Sequence, residues 1–178
     1  MPAKRTSVKR RRFLELGLTA GAAGSLISCG RTGGGAYWRF FTVAEARTLD
    51  AIAEQIIPTD DFPGASEAGV VRFIDLQLTR HYRKHRDAYR KGIAGVDAAS
   101  RERFQKPFAD LPPDQQEEVL REIQEKDAEF FALIRAHTMQ GYYGDPRHGG
   151  NRDEVSWKML GLPSPPVRGR VPYEKKAG

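Results

Sequence analysis

Two histidines four residues apart are the first candidates for metal chemistry in this sequence. His81 and His85 fall on one face of a predicted helix, and this spacing can bring two imidazole nitrogens to a zinc ion. The residues between them are Tyr82, Arg83 and Lys84, so the pair has no neighbouring carboxylate and its surroundings are cationic. Because positive charge opposes a metal ion, the pattern favours a solvated basic helix face, and we predict no metal site.

The other residues that could do chemistry lack the partners that such chemistry needs. His137 lies beside core-facing apolar positions, which favours a packed or interface histidine over a catalytic one. Asp60 and Asp61 precede a turn, where aspartate usually caps the backbone. Gly149, Gly150 and Asn151 do not have the strand and G-x-G-x-x-G spacing of a dinucleotide site, and no serine stands in a nucleophile elbow. We predict no catalytic residue and no cofactor bound by this chain.

Cys29 is the only cysteine in the sequence. A single thiol excludes an intrachain disulfide, a CxxCH haem attachment and a multi-cysteine zinc or iron–sulfur site. The run Leu26-Ile27-Ser28-Cys29-Gly30 resembles a bacterial lipobox, in which the cysteine becomes the mature N-terminus and carries a diacylglyceryl group. Two interpretations stay open, lipidation of Cys29 and a cysteine placed there by chance. With two or three acyl chains the anchor would be stable.

The positive charge of the chain is concentrated in its first 28 residues. They hold six lysines or arginines and one glutamate, whereas the remainder has 23 basic and 22 acidic residues. A near-neutral body lacks the basic excess that nucleic-acid binding requires. The charge therefore belongs to a leader.

The leader resembles a twin-arginine export signal. Its motif residues are Arg10, Arg11, Phe13 and Leu14, followed by small and apolar residues that are too few to span a bilayer permanently. We predict a twin-arginine lipoprotein signal peptide at 1–28, a flexible glycine-rich tether at 29–39, and a periplasmic, membrane-anchored product.

The body shows helical spacing of apolar residues and no sustained alternating pattern. Thr42 and Glu45 form a capping box before the first helix, which Pro58 ends. Further helices are expected at about 66–85, at 86–104, after 113, from 130 to the break near 144, and at about 153–160. The sequence predicts an all-α fold, a single small domain of five to six helices at 40–162, and a proline-rich irregular tail at 163–178.

The stretch from Phe130 to Leu162 is rich in glycine and aromatic residues. Its helix breaks at Gly144-Asp145-Pro146, and residues 149–151 tolerate left-handed backbone. Such a segment fits a rigid docking or substrate loop, and it equally fits a compact turn that packs its own aromatics. The candidate contacts to a partner are Tyr142, Tyr143, Pro146, Gly149, Gly150, Asn151 and Trp157.

Several motifs in order resemble the gluconate 2-dehydrogenase subunit 3 family. They are Phe40-Phe41-Thr42-x-x-Glu45, Ile56-Ile57-Pro58-Thr59-Asp60, Glu67-Ala68-Gly69-Val70, and Phe130-Phe131 through Asp145-Pro146-x-x-Gly149-Gly150-Asn151 to Trp157. The resemblance covers roughly residues 40–162. It implies a small, cofactor-free γ subunit of a periplasmic, membrane-associated dehydrogenase for sugars, sugar acids or polyols.

The same resemblance implies the partners. In that family the large subunit is a GMC-type flavoprotein that carries FAD, and electrons often pass on to a multihaem cytochrome c subunit. The small subunit carries the twin-arginine leader and takes the folded large subunit across the membrane with it. A lipobox is not general to the family, so anchoring through Cys29 depends on this sequence alone.

A rival hypothesis comes from a different class of protein. It is a stand-alone periplasmic enzyme or binding lipoprotein that uses His137, His148 and the turn at 149–151 around a small ligand or a haem. A third hypothesis is an electron carrier in which His137 or His81 holds a non-covalent haem, and the lone cysteine argues against it. These two hypotheses differ from the first in what the purified chain should do alone, since only they expect activity, a bound ligand or a prosthetic group.

Overall fold

Six α-helices and four single-turn 3₁₀ segments make up the regular structure of residues 38–163, the part of the chain that the computed structural model describes. The helices are α1 (Val43–Ile56), α2 (Val70–Leu78), α3 (Arg86–Phe104), α4 (Pro113–Lys126), α5 (Ala128–Tyr143) and α6 (Val155–Met159). No strand occurs among the described residues, and the predicted all-α class is confirmed. None of the helices in this range is long and apolar enough to cross a membrane.

Helix α1 begins at the predicted capping box and lies at the centre of the domain. The Thr42 hydroxyl accepts a hydrogen bond from the Glu45 amide at 3.2 Å, and the Glu45 carboxylate accepts one from the Thr42 amide at 2.7 Å. Leu49 and Ile52 are fully buried, and α1 contacts α2, α3, α4 and α5. The apolar face of α1 therefore packs against four other helices of the domain.

Helix α2 is shorter than the predicted span of 66–85, and both of its ends have a local cause. Gly69 precedes it at φ +72°, so residues 66–69 form a turn instead of a first helical turn. At its other end the Thr79 hydroxyl and the Arg86 guanidinium donate to the free carbonyl groups of the last helical turn. His81, which the prediction placed on the same helix face as His85, lies beyond the end of α2 and is exposed.

Helix α3 spans the predicted range, and a glycine brings it against α5. A Cβ atom at Gly92 would lie 2.2 Å from the ring of Phe130 on α5. This close contact sets the distance between the two helices, because no side chain separates the α3 backbone from that ring. Tyr89 and Ile93 on the same helix are buried and extend the core toward α5.

A buried carboxylate holds the N-terminal segment of the domain. Asp75 on α2 is 3% exposed and accepts hydrogen bonds from the backbone amides of Arg39, Phe40 and Phe41 at 2.8, 2.9 and 3.1 Å. Three donors satisfy a charge that would otherwise be costly to bury. The segment that precedes α1 is therefore attached to α2, the next helix along the chain, through Asp75.

Candidate partner-docking surface

The turn between α5 and α6 is held by hydrogen bonds from one asparagine. Asn151 is fully buried in the left-handed region at φ +43°. Its side-chain amide donates to the Gly144 carbonyl at 2.9 Å and accepts from the Ser156 amide at 3.0 Å. Asparagine tolerates this backbone conformation and also offers both a donor and an acceptor. Hydrogen bonds from this buried side chain therefore hold the turn. Of the three residues predicted to tolerate left-handed backbone, Gly149 and Asn151 adopt it.

A carboxylate closes the first part of this turn. Asp145 accepts a hydrogen bond from the Arg147 amide at 3.0 Å and pairs with the guanidinium group of the same arginine. These hydrogen bonds from Arg147 lower the pKa of the Asp145 carboxyl from 3.8 to about 2. The carboxyl therefore stays ionised at neutral and mildly acidic pH, and its ion pair with Arg147 is kept.

The proposed contact residues divide into two groups in the structure. Tyr142 is buried, and its hydroxyl donates to the Pro63 carbonyl at 2.7 Å. Gly150 and Asn151 are also buried. Tyr143 is exposed, while Pro146, Gly149 and Trp157 are half-buried. The first group shapes the turn from inside, and only the second can touch another molecule.

Exposed apolar side chains gather beside the turn. Met139 is 43% exposed and Tyr143 is 38% exposed, and the indole of Trp157 donates to the Tyr143 carbonyl at 3.1 Å. We call Met139, Tyr143 and Trp157 the α5–α6 face. An open groove of about 530 Å³ adjoins it, lined by Phe73, Met139, Gln140, Tyr143, Gly144 and His148. Aromatic and methionine side chains of this kind are enriched where proteins bind one another.

The histidine that the sequence placed in the core is packed there among aromatic rings. His137 Nδ1 lies 2.9 Å from the Tyr89 hydroxyl, and its ring stacks on Tyr82 at a centroid distance of 3.9 Å. Burial, and then the nearby His85, lower the pKa of His137 from 6.5 to about 4. Since its ring is enclosed and one nitrogen is already bonded, His137 is poorly placed to bind a ligand. His148, its companion in the rival hypothesis, lies instead in the open groove.

Other predicted candidates have structural roles or lie outside residues 38–163. The Asp60 carboxylate accepts from the Phe62 amide at 2.8 Å, which is the predicted backbone cap. Within residues 38–163 no group of three or more His, Cys, Asp or Glu residues could hold a metal ion. The export motif and the lipidation site, Arg10, Arg11, Phe13, Leu14 and Cys29, lie outside the described residues and stay predictions.

Sequence reasoning missed Asp75. A signal was present, because Val71, Ile74 and Leu78 occupy the buried face of α2 and Asp75 lies on that same face at helical spacing. An aspartate among buried positions indicates that backbone or side-chain donors must reach it. Which donors they are depends on a segment more than thirty residues away.

The fold and this surface define a small all-α domain with an internally braced turn and an exposed aromatic face, a type of domain suited to assembly with other proteins. The model of one protein family, Gluconate 2-dehydrogenase subunit 3, matches residues 43–163, about two thirds of the chain. The chain belongs to this family, and membership of a subunit family implies a larger catalytic partner. No curated protein and no solved structure matched the chain.

Proposed function

We propose that this protein is the non-catalytic small subunit of a periplasmic flavoprotein dehydrogenase complex that oxidises gluconate, related sugars or polyols. The observation that carries the proposal is the family match, which spans α1 to α6 and so covers the helical domain. The α5–α6 face supports it, since an exposed methionine and tyrosine beside a rigid turn can bury their apolar area against a larger subunit.

We further propose that the chain supports export and maturation of the FAD-carrying large subunit. A flavoprotein that acquires FAD in the cytoplasm must cross the membrane already folded, and the resemblance of residues 10–14 to a twin-arginine motif fits a route that carries folded cargo. In this proposal the small subunit binds the folded partner through its helical domain and supplies the signal for both. Electrons leaving the flavin would pass on to a cytochrome c subunit.

Membrane attachment is the third part of the proposal. Lipidation of Cys29 would place two or three acyl chains nine residues before Trp38, where the described domain begins. Nine residues of extended chain reach about 30 Å, so the domain and its partner would stay close to the membrane surface. Each buried methylene contributes about 0.8 kcal/mol to anchoring.

The test is recovery of the complex from membranes of cells that make the tagged full-length chain. We expect a flavin-containing subunit to co-purify in constant ratio and to reduce an artificial dye with a sugar acid or polyol. The processed chain purified without a partner should contain no flavin and should not reduce the dye. Turnover by the lone chain, or a stoichiometric haem in its absorbance spectrum, would contradict the proposal and favour the stand-alone lipoprotein.

A further inference from the structure

A second concave surface shares no lining residue with the groove beside the α5–α6 face and has a different chemical character. It is a cavity of about 370 Å³ bordered by the N-terminal segment, α1, α2 and the 3₁₀ turn before α6. Its wall includes Trp38 and three arginines, Arg39, Arg72 and Arg152. All three arginines are exposed, and among residues 38–163 none of their guanidinium groups has an ion pair or a hydrogen-bond acceptor.

The two carboxylates in the same wall already have donors from the protein. Asp75 accepts three backbone amides of the N-terminal segment, as described above. Asp50 accepts the Ser66 hydroxyl at 2.6 Å, and burial raises the pKa of its carboxyl. Neither carboxylate is bonded to a cavity arginine, so the guanidinium groups keep their full capacity to donate.

The arginine cavity stands out against the charge of the domain around it. Residues 38–163 contain 18 basic and 21 acidic side chains, a net charge of −3. Residues outside 38–163 offer few carboxylates to these arginines, because residues 1–37 hold seven basic residues and one acid, and residues 164–178 hold four basic residues and one acid. Charge complementarity therefore points to an anionic group from another molecule.

We propose that the arginine cavity docks an acidic, solvent-exposed segment of the catalytic partner subunit. Arginine presents a planar fork of donors that pairs with carboxylates in a bidentate manner, and arginine and tryptophan are the side chains most often found at the energetic centre of protein interfaces. The segment's carboxylates would bind Arg39, Arg72 and Arg152, with Trp38 covering its apolar part. This inference rests on the proposed function, since it assumes the partner.

The turn between α5 and α6 contributes one arginine to the wall of the cavity. Arg152 follows the buried Asn151 of the turn directly, and its amide donates to the Ala68 carbonyl at 2.9 Å, ahead of α2. Its guanidinium lies over Gly69, where an added Cβ atom would come within 3.2 Å of it. One rigid turn therefore positions both an arginine of the cavity and the aromatic side chains of the α5–α6 face.

The test is a triple charge reversal, R39E/R72E/R152E, in the full-length tagged chain. The probe is the flavin-containing subunit that co-purifies with the wild-type chain. We expect the dissociation constant to rise at least tenfold, and the salt dependence of binding to flatten, because the lost contacts are between charges. The control reverses Lys84, Lys91 and Arg101, which are exposed and line neither this cavity nor the groove beside the α5–α6 face, and it should bind like the wild type.

Unchanged binding by R39E/R72E/R152E, or equal weakening by the control, overturns the inference. If reversal unfolds the domain, R39Q/R72Q/R152Q removes the charges without adding new ones and serves the same comparison. A second experiment measures binding of the same variants to vesicles of anionic phospholipid. If the triple variant lost vesicle binding and kept normal partner recovery, the arginines would be assigned to lipid headgroups and the inference would be overturned. Failure of the wild type to recover any flavin-containing subunit would instead refute the proposed function, and this inference with it.

Discussion

The residue that does most to fix the N-terminal segment is Asp75, and its removal should be costly. In Asp75→Asn the remaining side-chain oxygen can still accept hydrogen bonds from backbone amides. The new amide group is itself a donor and faces a backbone donor, and the negative charge is lost. We expect the free energy of unfolding to fall by about 1.5–3 kcal/mol, measured by urea denaturation. Asp61→Asn changes an exposed carboxylate in a loop and serves as the control. A variant at Asp75 as stable as this control would show that the three amides do not depend on the charge.

His137 should make the domain less stable in acid. Its pKa is about 4 in the folded state and 6.5 without the fold, so the unfolded chain binds a proton first. Stability from the neutral ring is complete above pH 6.5 and is lost as the pH falls through about 4. We expect the melting temperature of the wild type to fall over this window more steeply than that of His137→Gln.

The matched control for this pH effect is His148→Gln, because His148 is exposed in the open groove. It should keep the pH dependence of the wild type. The groups packed on His137 are Tyr82, Tyr89 and His85, and burial raises the pKa of both tyrosines, so neither tyrosine ionises in the same range. Identical curves for the wild type and His137→Gln would show that another group causes the acid sensitivity.

At the scale of elements, the sequence predicted those helix ends that are set by residues close to them in the chain. The capping box and Pro58 bracket α1, and the apolar spacing of α3 gave its bounds, because these features act within a few residues. The length of α2 was overestimated, since a left-handed Gly69 and an arginine beyond the helix decide its ends. The attachment of the N-terminal segment to Asp75 was not predictable, because it joins residues more than thirty positions apart.

The candidate site shows the same division. Left-handed backbone at Gly149 and Asn151 followed from residue type, as did the break at Asp145-Pro146. Which of two adjacent tyrosines is buried did not follow, because the answer depends on the Pro63 carbonyl of a distant loop. The arginine cavity was also beyond sequence reasoning, since its arginines come from three separate segments.

The turn between α5 and α6 should be intolerant of a single added methyl group. A Cβ atom at Gly150 would lie 2.2 Å from the Gly141 carbonyl oxygen, which is backbone and cannot rotate away. We expect Gly150→Ala to lower the free energy of unfolding by about 1–3 kcal/mol and to weaken partner recovery. Gly95→Ala is the control, because its Cβ would meet open space and alanine favours a helix by up to about 1 kcal/mol. Equal stability of the two variants would mean that the turn relaxes without cost.

At the scale of the whole molecule, the domain separates its stability from its surface for binding. Its core is formed by α1 and the helices around it, while Met139 and Tyr143 of the α5–α6 face and the three arginines of the cavity are exposed side chains outside that core. One surface is apolar and the other is cationic, so they suit different parts of one large partner. Binding through two distinct patches would fix the orientation of the partner, because each patch alone could bind it in several orientations.

This separation predicts opposite effects for two substitutions on α5. Met139→Asp places a charge on the exposed apolar face, so we expect only a small fall in thermal melting, from the lower helix propensity of aspartate, and at least tenfold weaker recovery of the flavin-containing subunit. Tyr142→Phe removes the hydrogen bond to the Pro63 carbonyl inside the fold, so stability should fall by about 0.5–1.5 kcal/mol while recovery is preserved. Both are measured on the full-length chain by melting and by quantitative pull-down. If Met139→Asp left recovery intact, the exposed face would not be part of the contact, and binding would have to depend on the arginine cavity or on residues outside 38–163.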